Sequence, residues 1–502
     1  MSVTSQPGNA GLVGRAGAPG PPGETEAHVA VVGGGIAGLA AAFFLRGAPV
    51  RVSVFEGSPR VGGKLAVSEI AGVQVDEGAE AMLARRREGI ELVDAVGLGG
   101  ELVSPGTTAA AIWTRGALHP LPGGQVMGVP GDLAALARSG VLPVAGVARA
   151  ALDLVLPATG AGGDVSVASR VGARLGREVV DRLVEPLLGG VYAGRADELS
   201  FEATLPGLAA ASRNHRTLTG AARSVAAAAR RGPNAGNAVF TTLAGGLGTL
   251  PAAVAAASGA NIRTGAPVRE LRRTPAGWQL TVGSAGEPEH VRADAVVLAV
   301  PATPASRLLR AVAPAAAAPL GEIEYASMAI VTLAFGRGAL HPRPRGSGYL
   351  VPAVDGRAVK AVTISTVKWP HLLARGAGTS SAGDVVRCSL GRIGEEQVLQ
   401  RADEELVALS RDELAMAMGA SGPLLAARVS RWGGGLPQYT VGHTGRVARI
   451  RAAVAGQPGL AVCGAAYDGL GIPACVATAR QAAAQVLAHL ARRAPPRGGE
   501  GQ

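Results

Sequence analysis

Three glycines and one acid carry the first readable chemistry in the chain. In "HVAVVGGGIAGLAAAFFLRGAPVRVSVFEGSPRVGGK", Gly33, Gly35 and Gly38 form a GxGxxG, and Glu56 follows at roughly the ~20-residue offset at which an acid meets a ribose. Each glycine has its own task. Gly33 permits a tight turn, Gly35 lets a pyrophosphate approach bare backbone N–H groups at a helix start, and Gly38 lets helix and strand pack closely. Glu56 would accept hydrogen bonds from the adenosine ribose hydroxyls. A glycine turn with a purely structural role would not need all four features together.

The flanks supply the elements that must hold these residues. A β-branched strand (Val29 to Val32) precedes the turn, an Ala/Leu helix follows, and a second strand (Val50 to Phe55) ends at the acid. Far away in the sequence, "LAVCGAAYDGLGIPACVATARQAAAQVLAHL" from Leu460 reads as strand, glycine-rich turn and long helix starting near Ile472, with Pro473 in its first turn. Donors at such a helix start suit a carbonyl or hydroxyl oxygen of a cofactor, and a glycine-broken surface helix is the plainer alternative.

Composition narrows the rest. At 502 residues the chain is long enough for about two to four domains and a large core. Its 48% hydrophobic and 17% charged residues describe a folded protein rather than a disordered one. Only the ends, 1–27 and 493–502, read as disordered tails; "GAPGPPG" at Gly17 to Gly23 is too short for a triple helix. No secretory signal is evident, and the uncharged run from Val29 to Leu45 is explained by the glycine turn, so no membrane span is expected. Cys388, Cys463 and Cys475 are odd in number and lack metal spacing, as expected of reduced thiols in a cytoplasm, with neither disulfide nor metal site. The net charge of +11 is spread without a recognition helix, so no nucleic acid is expected, and a polycarboxylate ligand or peripheral contact with anionic lipid outranks it.

"RVGGK" at Arg60 to Lys64 resembles the RxGG[RK] extension of the FAD-dependent amine oxidase and protoporphyrinogen oxidase superfamily, and Asp76, Glu77 and Gly78 resemble its following acidic-Gly motif. "FTTLAGGLGTLPAAVA" from Phe240, "PVRELRR" from Pro267 and "ADAVVLAVPATPASRLL" from Ala293 resemble further pieces of the same FAD domain. "LVEPLLGGVYAGRADELS", "LHPLPGGQVMGVP", "GSGYLVP", "KWPHL" and "RWGGGLPQYTVGH" resemble the protoporphyrinogen/coproporphyrinogen III oxidase family in particular, over residues from about 28 to 490.

The resemblance implies an α/β fold: a discontinuous Rossmann-like FAD-binding domain (28–108, 236–304, 426–492), a helical insertion with a substrate- or membrane-facing part (109–235) and a mixed-sheet substrate domain (305–425). It implies FAD held by Gly33, Gly34, Gly35, Ile36, Ala37, Gly38, Glu56, Gly57, Arg60, Gly63, Lys64, Gly78, Ala79, Val268, Trp432, Gly464, Gly471, Ile472 and Pro473. It also implies a reaction in which the flavin takes hydride from a bridging methylene of coproporphyrinogen III and dioxygen is reduced to hydrogen peroxide. Three such rounds aromatise the ring, in haem biosynthesis, with no catalytic residue beyond the flavin and with other haem-pathway enzymes as partners. Protoporphyrinogen IX is the alternative substrate; a flavin amine oxidase and a non-enzymatic FAD-binding scaffold are more distant ones.

The substrate side rests on a few residues. A porphyrinogen offers four inward pyrrole N–H donors and wants a wide apolar slot with backbone carbonyls reaching inward. Gly189, Gly190 and Gly194 lack blocking side chains, and the Gly190 carbonyl is the expected acceptor; a tight loop-to-helix junction is the plainer reading of the same glycines. Tyr192 is a substrate contact if it is not simply a packed aromatic. Arg86, with Arg85 and Arg87 beside it, is placed to pair with a propionate, against a merely solvated basic face.

Overall fold

The computed structural model describes residues 26–158, 163–231, 238–340, 346–375 and 383–493. Ala27 already pairs with Val50 and Arg493 closes the last helix; the remainder of the two expected tails, Glu26 apart, lies outside the described residues.

Two sheets organise the molecule. The first has five strands, all parallel, in the spatial order Asn261–Arg263, Val50–Phe55, Ala27–Val32, Ala295–Leu298, Leu460–Val462. Numbered along the chain that order is 3-2-1-4-5, the Rossmann arrangement, which places its ligand crevice beyond the carboxyl ends of the strands where the order reverses. Helix Ile36–Leu45 covers one face and is buried almost throughout, because it is sandwiched between Leu250–Ser258 and the long helix Ile472–Arg493. The other face is covered by the antiparallel strands Val268–Thr274, Gly277–Gly283 and Pro288–Ala293 together with helices Ala302–Leu309, Pro314–Gly321 and His443–Ala455.

The second sheet is mixed, with seven strands in the order Leu424–Pro437, Tyr325–Phe335, Asp384–Leu390, Val359–Ile364, Gly348–Leu350, Ala111–Thr114, Ala117–Pro120. Its one parallel pairing joins Gly348–Leu350 to Ala111–Thr114. Segment 109–235 thus gives this sheet its last two strands, with Ala117–Pro120 at the edge, before it turns helical, and strand Leu424–Pro437 runs across position 426 as one continuous element.

The helices of 133–231 bury a core of their own around Leu136, Val171, Leu183 and Leu188. Within it the "VEPLLGGVYAG" stretch is helical rather than a loop. A π turn at Val180–Val184 leads into helix Glu185–Tyr192, with Pro186 at its start. The buried positions Val184, Leu188 and Tyr192 recur every four residues, so the gain from burying one face outweighs two glycines that disfavour helix. The π turn has a partner in the "LHPLPGGQVMGVP" motif: a Cβ at Gly128 would sit 2.6 Å from the Leu183 carbonyl, and Met127 and Gly128 both take positive φ to bring the backbones together.

Candidate functional site

The glycine turn is built as its spacing requires. Gly33 has φ +107° and ends its strand against Ala299; Gly38 lies so close to Gly33 that a Cβ there would be 1.8 Å from the Gly33 carbonyl oxygen. These two glycines are demanded by the protein itself. Gly35 is not: its φ of −69° suits any residue, and a Cβ would meet no atom within 4 Å. It heads helix Ile36–Leu45, whose N-terminus has no side-chain cap and no acid in its first turn. The N–H groups of Gly35, Ile36 and Ala37 therefore face an open approach at the positive end of a helix, which is the cradle that a pyrophosphate needs.

A second glycine loop lies alongside. The Gly62 N–H donates to the Gly34 carbonyl at 2.8 Å, and a Cβ on Gly63 would touch the Gly35 Cα at 3.4 Å. Arg60 folds over this loop and donates to the carbonyls of Val61, Gly63 and Leu65, so its guanidinium is the clasp of the loop. Glu56 accepts from the Gly34 N–H at 2.6 Å and the Ser58 N–H at 2.8 Å, one amide on each oxygen, which leaves lone pairs for ribose hydroxyls. Gly57 packs against Pro267, one residue before Val268, so the structure brings Val268 to the Glu56 end.

The acidic-Gly loop closes the other end. A Cβ on Gly78 would lie 2.0 Å from the Lys64 carbonyl oxygen and 3.2 Å from the Trp432 ring, and the Trp432 Nε1–H donates to the Glu77 carbonyl at 3.0 Å. Burial pulls the Lys64 ammonium below its usual value. Asp76 accepts from the Leu247 and Gly248 amides. Its pKa is pushed up to about 6 by burial, against the pull of those amides and of Arg387. Ala79 is exposed.

A raised carboxylate pKa means that folding favours the protonated acid. Asp76 therefore contributes stability that is complete below 3.8 and lost as pH rises through about 6. Asp76→Asn, which keeps an acceptor and carries no charge, should flatten the stability curve between pH 4 and 6 by on the order of 2–3 kcal/mol. Denaturant titrations of both proteins at pH 4 and pH 7 measure this; parallel curves would refute the assignment.

The C-terminal half-site meets the turn directly. A Cβ on Gly464 would lie 3.7 Å from that of Ala37, and the Gly464 N–H donates to Thr478. Gly471 heads helix Ile472–Arg493 by accepting from the Ala474 and Cys475 amides. Ile472 and Pro473 are buried, Pro473 against Gly89.

Three side chains that sequence reasoning left without roles tie this crevice to the second sheet. Glu80 is clamped by Lys368 at 2.7 Å and Arg387 at 2.5 Å, and Arg387 also donates to the Gly78 carbonyl. Burial alone would raise the Glu80 pKa, but the two cations outweigh it and hold it at about 2. Lys368 belongs to the quoted "KWPHL", and Arg387 stands inside the apolar run "DVVRCSL", where a lone charge needs a buried partner.

The substrate-side residues fall into two places. Tyr192 is buried with its ring 5.6 Å from that of Tyr439, and burial pushes its hydroxyl up to about 12. Its carbonyl accepts from Gln438 at 2.8 Å. Tyr439 in turn stacks on His443 and reaches the C-terminal glycine loop, donating to the Ala465 carbonyl at 2.6 Å and accepting from the Gly469 N–H at 2.8 Å. Helix Glu185–Tyr192 is thereby fastened to the loop between Gly464 and Gly471. Gly190 lies in the last turn, where a helix leaves carbonyls without amide donors, and faces Leu350 of the second sheet. Gly194 has a packing reason beside the one its sequence offers: a Cβ there would lie 2.1 Å from the Gln438 Oε1. Arg86 lies apart on the surface, in a two-pronged pair with Glu88 at 2.9 and 3.2 Å, three residues before the Gly89–Pro473 contact.

Residues 36–487 match the model of the flavin-containing amine oxidoreductases. The coproporphyrinogen III oxidase of Mycobacterium tuberculosis (strain ATCC 25618 / H37Rv) is 37% identical over 466 residues, covering 91% of this chain and 96% of that one. The chain belongs to the coproporphyrinogen/protoporphyrinogen oxidase family of flavin oxidoreductases. The protoporphyrinogen oxidase of Bos taurus is 31% identical, with 91% and 98% covered. A crystal structure from Exiguobacterium sp. 255-15, assigned to protoporphyrinogen oxidase, superposes with a TM-score of 0.80 at 30% identity, covering 93% of this chain and all of that one. This family member is therefore an enzyme with a flavin cofactor, and the α/β fold with a Rossmann-like and a mixed sheet is as its sequence implies. None of its described helices is long and apolar enough to cross a membrane, and no group of metal-ligating side chains occurs among the described residues.

Proposed function

We propose that the chain binds FAD along the crevice from Glu56 to Trp432 and oxidises coproporphyrinogen III to coproporphyrin III in haem biosynthesis. Each of three successive rounds removes two electrons and two protons and converts dioxygen to hydrogen peroxide. When bound, FAD supplies the acceptor for hydride from a methylene bridge of the macrocycle. The amides of Gly35 to Ala37 hold the pyrophosphate, Glu56 the ribose, and the Gly464–Pro473 turn and Trp432 the flavin end. The protein's share in the chemistry is position and exclusion of water, with the Gly190 carbonyl accepting from a pyrrole N–H.

The observation that carries this reading is the fastening of helix Glu185–Tyr192, through Tyr439, to the glycine loop at Gly464–Gly471. It supports a reading in which the helix of the porphyrinogen-oxidase signature lies beside the cofactor. Coproporphyrinogen III is chosen over protoporphyrinogen IX because the mycobacterial relatives named for the former reach 36–37% identity, against 31% for the bovine relative named for the latter, although other relatives named for the former stand at 28–30%. Incubating FAD-loaded protein with each porphyrinogen separately, and following porphyrin fluorescence and peroxide, tests it. Faster turnover of protoporphyrinogen IX would reverse the choice, and turnover of neither would remove the reading.

Arg86 is assigned to a propionate, which it would take in exchange for Glu88. Arg86→Ala should raise KM for coproporphyrinogen III and cost about 1.5–3 kcal/mol in kcat/KM, the worth of a charge-assisted hydrogen bond. A propionate remote from the reacting bridge binds ground and transition states alike, so kcat should hold. Arg86→Glu should be worse. Wild-type kinetics for Arg86→Glu at low ionic strength would take Arg86 out of the site.

A further inference from the structure

A cavity of about 790 Å³ opens in the helical part of the molecule, between the "LPGG" of the motif at Leu121–Gly124 and helix Leu218–Arg231. Its lining includes Arg138, Arg223 and Arg230 and a single acid, Asp132. That acid caps helix Leu133–Ser139, its Oδ1 accepting from the Ala134 and Ala135 amides, and its charge also faces Arg138 and Arg223. Arg223 donates through Nε to the Gly131 carbonyl, which leaves its two terminal nitrogens for a ligand. Among the described residues Arg138 and Arg230 make neither an ion pair within 4 Å nor a side-chain hydrogen bond. Leu121, Pro122 and Ala226 give the cavity an apolar wall.

We infer that this cavity is a second binding site, for an apolar macrocycle bearing several carboxylates. Size and chemistry lead to that class. A volume of this order holds a whole drug-sized molecule, far more than a phosphate or one carboxylate would fill. Three guanidinium groups against one carboxylate leave a net positive charge of two, which calls for two or more anionic groups suited to two-pronged pairing. An apolar wall between them calls for an apolar body that joins those anions. Within the proposed function the matching molecule is coproporphyrin III, with four propionates, so the choice of ligand rests on that reading. The site differs from the flavin crevice, which is lined by other residues. The same motif loop continues to Gly128, packed on the π turn that leads into helix Glu185–Tyr192.

Equilibrium titration of the flavin-loaded enzyme with coproporphyrin III, read by fluorescence and by the ratio bound per chain, tests this. The wild type should bind two per chain, one of them weakened by salt. Arg138→Glu/Arg230→Glu, at two exposed positions whose side chains make no hydrogen bond within the fold, should retain its flavin and its melting temperature. It should lose the salt-sensitive site by about 10-fold or more in affinity, as expected for lost charge-assisted contacts. Absence of any salt-sensitive site in the wild type, a salt-sensitive site of unchanged affinity in the variant, or full competition by inorganic pyrophosphate without loss from the variant would each overturn the inference. Turnover of coproporphyrinogen III on the same wild-type preparation reads the proposed function separately: binding at the second site without turnover overturns the catalytic reading alone.

Discussion

Gly35→Val should give a folded protein without flavin. The φ and ψ of Gly35, −69° and 174°, are ordinary for valine, and no protein atom lies within 4 Å of the new Cβ, so the apo-protein should melt within a degree or two of the wild type. The added branches instead occupy the approach to the Gly35–Ala37 amides. Losing two charge-assisted hydrogen bonds to a pyrophosphate costs about 3–6 kcal/mol, or roughly 10²–10⁴ in flavin affinity. Gly38→Val is the contrast: its Cβ would lie inside the Gly33 carbonyl, so that protein should not fold at all. Absorbance at 450 nm on purified material beside thermal melts separates the two. A yellow, stoichiometric Gly35→Val would show that the cradle is not where the pyrophosphate lies.

Glu80→Gln should be the most destabilising of the conservative substitutions. The change keeps size and shape but leaves the buried Arg387 and the half-buried Lys368 with no anion between them, and breaking a buried pair from one side costs about 3–5 kcal/mol. Since the Glu80 pKa is lowered, its contribution is fully present above 4.5 and lost as pH falls through about 2. Wild type and variant should therefore differ most near neutrality and converge at the acid end. Arg387 also holds the Gly78 carbonyl, so flavin affinity should fall with stability. Denaturant titration at pH 7 showing a loss under 1 kcal/mol would mean that solvent reaches these charges. Glu80→Gln/Lys368→Met should recover part of the loss, because one of the two stranded cations is then gone.

What could be read from the sequence was whatever a short stretch constrains by itself. Gly33, Gly38 and Glu56 are fixed by one turn and two flanking elements, all within thirty residues, so spacing alone reveals them. Glu80, Lys368 and Arg387 come from three separate segments, and only the topology of the second sheet makes them neighbours; a charge inside "DVVRCSL" was the one outward sign. The cavity arginines were equally hidden, because a dispersed count of basic residues says nothing about which of them the fold gathers. In the "VEPLLGGVYAG" stretch the glycines and proline pointed to a loop, while the four-residue recurrence of Val184, Leu188 and Tyr192 pointed to helix. Burial of the apolar face decided between them.

The parallel sheet also sets a timetable for synthesis. Its central strand, Ala27–Val32, needs Ala295–Leu298 on one side, and that strand needs Leu460–Val462 beyond it. At ~5–20 residues per second the last strand leaves the ribosome roughly 20–90 s after the first. Until then the nucleotide crevice has no far wall, and Ile36–Leu45, apolar on every side, has no Ile472–Arg493 to lie against. A nascent chain of this length must therefore keep its most apolar helix from aggregating for most of its own translation. On this strand order the crevice is incomplete until Leu460–Val462 has left the ribosome.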